Sequence, residues 1–125
     1  MSLLLDTHVL LWWLEDEPRL TAETRSAIAD SASTVHVSAA SIWEASIKIA
    51  AGRLKVSGDL PAAIPASGFV ELPIAARHAW RAGILPRHHE DPFDRLLVAQ
   101  AQLEELTIVT HDENLRRYGV PLLPA

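Results

Sequence analysis

The chain contains no cysteine, which excludes disulfides and thiolate metal sites. No apolar run approaches the ~20 residues that span a bilayer. The opening "MSLLLD" carries no basic leader, and an acid cuts its apolar run short, so a signal peptide is not expected. These absences predict a cytoplasmic protein. There is no repeat, no low-complexity tract and no linker. At 125 residues, the expectation is a single domain over 1–125. Lysine is scarce: of eleven basic residues only Lys48 and Lys55 are lysine. The net charge of −5 argues against broad electrostatic binding of nucleic acid.

What the chain does have is a carboxylate in an awkward place. In "LLLDTHVLLWWL", Asp6 stands between two apolar runs. A carboxylate buried there without partners costs several kcal/mol (roughly) or stays protonated. Some other part of the chain must make the position tolerable.

Strands and helices alternate. "SLLLD" (2–6) is a short buried strand and "HVLLWWLED" a helix closed by Pro18. "TAETRSAIADSA" (21–32) is a helix capped by Thr21, and "TVHVS" (34–38) a β-branched strand. "SIWEASIKIAAG" (41–52) is a helix ended by Gly52, and 53–68 holds at most a short or broken helix because of Pro61 and Pro65. "FVELP" (69–73), "TIVT" (107–110) and "VPLL" (120–123) complete the strands. "IAARHAWRAGIL" (74–85) is helical, "PRHHE" a polar loop, and "DPFDRLLVAQAQLEEL" (91–106) a helix with Asp91 as cap and Pro92 at its first position. "HDENLRRYG" gives a short helix or turn. This order implies parallel pairing with right-handed crossovers, hence a three-layer α/β domain with four or five strands.

In such a sheet, ligands bind beyond the carboxyl ends of the strands. Asp6 ends the first strand and Asp112 lies two residues past "TIVT". Glu44 and Asp94 open helices that start at the same rim. Each acid has a plainer explanation. "SIWE" matches a capping box from Ser41 to Glu44, Asp94 complements a helix dipole, Asp112 suits a cap, and Asp6 could cap the helix that follows. Together they are harder to dismiss. Two unit charges 4 Å apart repel by roughly 4 kcal/mol at a surface-like dielectric. A hard divalent cation removes that cost, and oxygen ligands suit Mg²⁺ or Mn²⁺ better than zinc.

These phrases resemble those of the PIN-domain nucleases, and more narrowly the VapC toxins of bacterial toxin–antitoxin pairs. The likeness rests on "LLLDTHVLLWWL", "SAASIWEASIKIAAGRL" and "HHEDPFDRLLVAQAQLEELTIVTHD". It implies a PIN-like fold and an acidic metal site of Asp6, Glu44, Asp94 and Asp112. Asp6 and Asp94 would be principal ligands of Mg²⁺ or Mn²⁺, and Thr110 would orient the last acid. It also implies hydrolysis of RNA phosphodiesters, a VapB-type antitoxin as partner, and a homodimer. A stand-alone PIN nuclease and a PIN-like module without catalysis are alternatives. A phosphatase with Asp6 as nucleophile ranks below them, because position 8 is His8 where such enzymes want a second aspartate.

An acidic chain must hold RNA with a local cationic strip. The stretch from Arg77 to Arg95 also holds Arg81, Arg87, His78, His88 and His89. Arg87 is the expected phosphate contact, with His88 or His89 assisting, while Arg95 is either part of the strip or paired with an acid. Trp12, Trp13, Trp43 and Trp80 lie in helical stretches and are expected in the core or at an interface. Trp12 and Trp13, being adjacent, cannot both face one core.

Overall fold

Leu3, Leu4 and Leu5 are all fully buried, but they serve two different cores. Alternation along a strand sends Leu3 and Leu5 to one face and Leu4 to the other. The computed structural model describes all residues from 1 to 125. These leucines form β1 (Ser2–Leu5), the central strand of a five-stranded sheet. The others are β2 (Thr34–Ser38), β3 (Val70–Leu72), β4 (Thr107–Thr110) and β5 (Leu122–Pro124), in the order β3-β2-β1-β4-β5. Every pairing is parallel.

Helices α1 (Thr7–Leu14), α2 (Ala22–Ala29), α3 (Ala39–Ala50) and α4 (Leu60–Ala66) connect β1 to β2 and β2 to β3. They supply Val9, Leu10, Ile28, Ala45 and Ile64 to the core beneath Leu3 and Leu5. The chain then reverses its direction across the sheet. Helices α5 (Ala76–Ile84) and α6 (Pro92–Glu104) lead back from β3 to β4, and Leu97, Val98 and Ala101 pack with Leu4 on the other face. The result is three layers. A single 3-10 helix, Glu113–Tyr118, joins β4 to β5.

Most elements lie where the sequence puts them, with instructive shifts. Helix α3 starts two residues before its expected position. Strand β2 runs into it without a loop, so the last strand residue, Ser38, becomes the N-cap and accepts from the Ala40 N–H. Ser41 therefore sits inside the first turn with its hydroxyl unpartnered, and the expected Ser41–Glu44 capping box does not form. The second helix stops at Ala29 because Asp30 is already extended. The last strand begins at Leu122 and not at Val120.

The tryptophans divide differently from expectation. Trp12 and Trp13 are both half-buried, Trp12 stacking on His111 and Trp13 packing on Phe69. Trp43 and Trp80 are exposed. No helix is long and apolar enough to cross a membrane.

Candidate functional site

The switch in winding direction falls between β1 and β4, so the crevice beyond their carboxyl ends is where a ligand would bind in an open parallel sheet. Asp6 follows β1 directly, and Asp112 follows β4 by two residues. Between them opens a polar cleft of about 320 Å³, lined by Asp6, Glu44, Asp91, Asp94, Asp112, Lys48 and neighbours. Five acids from four separate parts of the chain, with Asp6, Glu44, Asp94 and Asp112 among them, thus share one cavity. Its lining includes no hydrophobic residue.

Asp6 is buried to 5% exposure, and its two oxygens do different work. Oδ1 caps α1 by accepting from the Val9 N–H at 2.8 Å. Oδ2 accepts from the Thr110 hydroxyl at 2.5 Å. Burial nevertheless raises the Asp6 carboxyl above its ordinary range, against the lowering effect of those two bonds. Thr110 was expected to orient the last acid. Its hydroxyl does accept from the backbone N–H of that acid, Asp112, at 3.0 Å, and it also donates to the first acid, Asp6. One hydroxyl thereby ties the ends of β1 and β4 together.

Glu44 lies in the second turn of α3, where no cap requires it. It accepts from the Thr7 hydroxyl at 2.6 Å and pairs with Lys48 Nζ at 3.1 Å. Asp94 enters from the first turn of α6, beneath the cap that Asp91 forms on the N–H groups of Phe93 and Asp94. Its carboxyl is pushed up to about 7, first by desolvation and then by Asp91, with Asp6 and Glu44 adding smaller repulsions. Asp112 caps the 3-10 helix through Oδ1 and turns Oδ2 to His89 Nε2 at 3.0 Å.

The donors suit a hard cation. Carboxylate oxygens dominate, and the negative charges of Asp91, Asp6 and Glu44 all push the Asp94 carboxyl up. The ligand-capable atoms of His89, Asp94 and Asp112 lie within 4.8 Å of one another. A divalent ion is the natural neutraliser of such a group.

Several neighbours escaped the sequence reading. Thr7, His8, Lys48 and His111 all line the cleft. Only Lys48 left a signal, its position four residues after Glu44 on one helix. His88 and His89 point apart, His88 against Tyr118 and His89 into the acids.

Most of the arginine strip is engaged within the chain. Arg77 pairs with Glu104 at 2.8 Å, Arg81 bonds Gln102, and His78 is buried. Arg95 forms no ion pair with an acid. Its guanidinium donates to the backbone carbonyls of Ala82, Leu85, Pro86 and His89, closing the loop between α5 and α6. Only planar, multiply donating arginine can do this. Arg95→Ala should therefore destabilise the fold by about 2 kcal/mol through carbonyls left unpaired, read as a lowered urea midpoint. Arg87 alone among the arginines of the stretch has a side chain without a hydrogen bond or ion pair, and it lines an adjoining polar pocket of about 290 Å³ with His89 and Arg95.

The chain is thus an all-parallel α/β domain with a carboxylate cleft at the switch point of its sheet. The PIN domain profile matches residues 3–121, and the chain belongs to that family. In sequence alone it matches no curated protein. In structure it is similar to a chain in the crystal structure of VapBC2 from Rickettsia felis bound to a promoter DNA fragment. The TM-score there is 0.74 at 16% identity, covering 99% of this chain and 98% of that one. It is likewise similar to a chain of DNA-bound VapBC from Salmonella typhimurium, with TM-score 0.71, 16% identity and the same coverage. A toxin–antitoxin complex from Klebsiella pneumoniae gives TM-score 0.66 at 21% identity, covering 98% of this chain and 96% of that one. Such identities speak for a shared fold.

Proposed function

We propose that this chain is a metal-dependent endoribonuclease, the toxin of a VapBC-type pair, with Asp6, Glu44, Asp94 and Asp112 as its metal-holding acids. One observation carries the reading: four acids from separate elements line a single cleft at the switch point of a PIN fold. Mg²⁺ or Mn²⁺ is the cofactor in this reading. When bound, the ion supplies charge neutralisation at a scissile phosphate and acidifies water for hydrolysis.

The chain's own residues do the rest. Thr110 and the Val9 N–H hold Asp6 with both oxygens oriented. Thr7 and Lys48 do the same for Glu44, and Lys48 offsets one negative charge at the cleft. Fixed carboxylates need no reorganisation when substrate arrives, which is how an electrostatic site gains rate. His8 and His111, both exposed beside the acids, lie where a substrate strand would pass.

Partners follow from the same reading. A VapB-type antitoxin would cover the cleft with basic groups. Exposed Trp43, Ile47, Trp80 and Ile84 are compatible with a protein interface, including a second copy of this chain.

The test is cleavage of RNA by the purified protein with Mg²⁺ or Mn²⁺, and its loss in EDTA. Cleavage that persists undiminished in EDTA would reject the metal reading. For substrate binding, Arg87→Ala is expected to weaken RNA affinity and to flatten its dependence on salt by about one counterion, with Mn²⁺ affinity unchanged. An unaltered salt slope would place the track elsewhere, on Arg116 and Arg117.

A further inference from the structure

His89, which borders the acidic cleft and meets two of its acids, has the position of a ligand but the hydrogen bonding of a donor. His89 Nε2 lies 3.0 Å from Asp112 Oδ2 and 3.2 Å from Asp94 Oδ2. It spans the gap between the start of α6 and the turn after β4. The other ring nitrogen settles what this contact is. Nδ1 lies 3.1 Å from the backbone N–H of Asp91, which is a donor under any condition. Nδ1 must therefore present a lone pair, and the ring hydrogen must sit on Nε2. A ligating Nε2 would need the opposite tautomer, with two N–H groups facing head-on at Asp91.

The ring has little freedom to escape this arrangement. The His89 N–H donates to the Tyr118 hydroxyl at 2.9 Å, and its carbonyl accepts from Arg95 at 3.2 Å. The backbone is pinned on both sides, and Nδ1 is pinned by the residue that caps α6.

We propose that His89 is a positioning residue of the metal centre: its Nε2–H, fixed by the Asp91 backbone, donates to Asp112 and rests against Asp94, holding the two acids in place without binding the ion. The inference rests on the metal reading above. Asp112 is held through both oxygens, Oδ1 by the Asn114 N–H and Oδ2 by His89, and these bonds fix the direction in which its remaining lone pairs can bind. Removing such an outer contact from a metal site typically costs 10–100-fold in affinity.

The probe is Mn²⁺. Titration calorimetry on the full chain should show binding weakened at least about tenfold in His89→Ala. His89→Gln, which keeps an N–H donor of similar reach, should recover part of the loss. Electron spin-echo spectroscopy of wild type with Mn²⁺ should show no directly coordinated imidazole nitrogen. Nitrogen NMR of the metal-free protein should show the Nε2–H tautomer for His89. The spectroscopic arms use wild type, so they hold even if His89→Ala folds poorly. A coordinated nitrogen that vanishes in His89→Ala would make His89 a ligand and overturn the proposal while leaving the metal reading intact. Wild-type affinity in His89→Ala, or the Nδ1–H tautomer, would also overturn it. No Mn²⁺ binding by wild type would sink the metal reading and the proposal with it.

Discussion

Asp94→Asn should abolish metal-dependent RNA cleavage, by about a thousandfold or more, and make the metal-free protein more stable. The two effects have one cause. Asp94 is the carboxyl on which burial and the negative charges of Asp91, Asp6 and Glu44 converge, which pushes it up to about 7. Ionising it without a cation is costly, and asparagine removes that cost together with the ligand. Asp6→Asn should be as inactive, but its stability should change less. Asparagine at position 6 can still cap α1, yet its amide would face the Thr110 hydroxyl where a carboxylate oxygen now accepts. That hydroxyl already accepts from the Asp112 N–H, so its own hydrogen would lose its acceptor. Cleavage assays and thermal melts in EDTA measure both halves. Activity near wild type in either variant would refute the site, and a destabilised Asp94→Asn would refute the electrostatic account of it.

What the sequence made legible was mostly local. Helix α6 could be read from "DPFDR" because Asp91 and Pro92 announce a helix start, and the structure shows both in those roles. β4 coincides with "TIVT" because a short β-branched run between two turns has few alternatives. The convergence of the acids could be read too, since strand ends and helix starts meet at one rim of a parallel sheet. What the sequence did not disclose depended mostly on contacts between distant residues. Thr110 reaches Asp6 across 104 positions, and no spacing rule reports that. Arg95 looked like a cation for substrate because its carbonyl partners are backbone, invisible in side-chain chemistry. The Ser41–Glu44 pattern matched a capping box, but β2 ran straight into the helix and moved the cap to Ser38. Misplacing one helix start hid the better reading of Glu44, as a carboxylate held by Thr7 and Lys48.

The metal-free protein should also lose stability as pH rises from about 4 to about 7, against the usual behaviour of a paired carboxylate. Asp94 releases its proton near its ordinary 3.8 when unfolded but retains it to about 7 when folded. Between those values the native state binds more protons than the unfolded one, so its stability is full below the lower value and declines towards the upper. The gap sets an upper limit of about 4 kcal/mol, reduced by the partial exposure of the group. A cation reverses the sign, because it binds the ionised carboxyl and competes with the proton. At a hundredfold excess over its dissociation constant it adds about 3 kcal/mol, roughly 10 °C in melting temperature for a chain of this size. Melts at pH 5.5 and pH 8 should therefore diverge in EDTA and converge in saturating Mg²⁺, with the larger metal effect at pH 8. In Asp94→Asn the EDTA curves should lie closer together, because one of the two raised carboxyls is gone and only Asp6 remains. If wild type in EDTA is instead more stable at pH 8, Asp94 is already ionised in the free protein. The cleft would then carry its charge unaided, and neutralisation by a cation would no longer explain why four acids meet there.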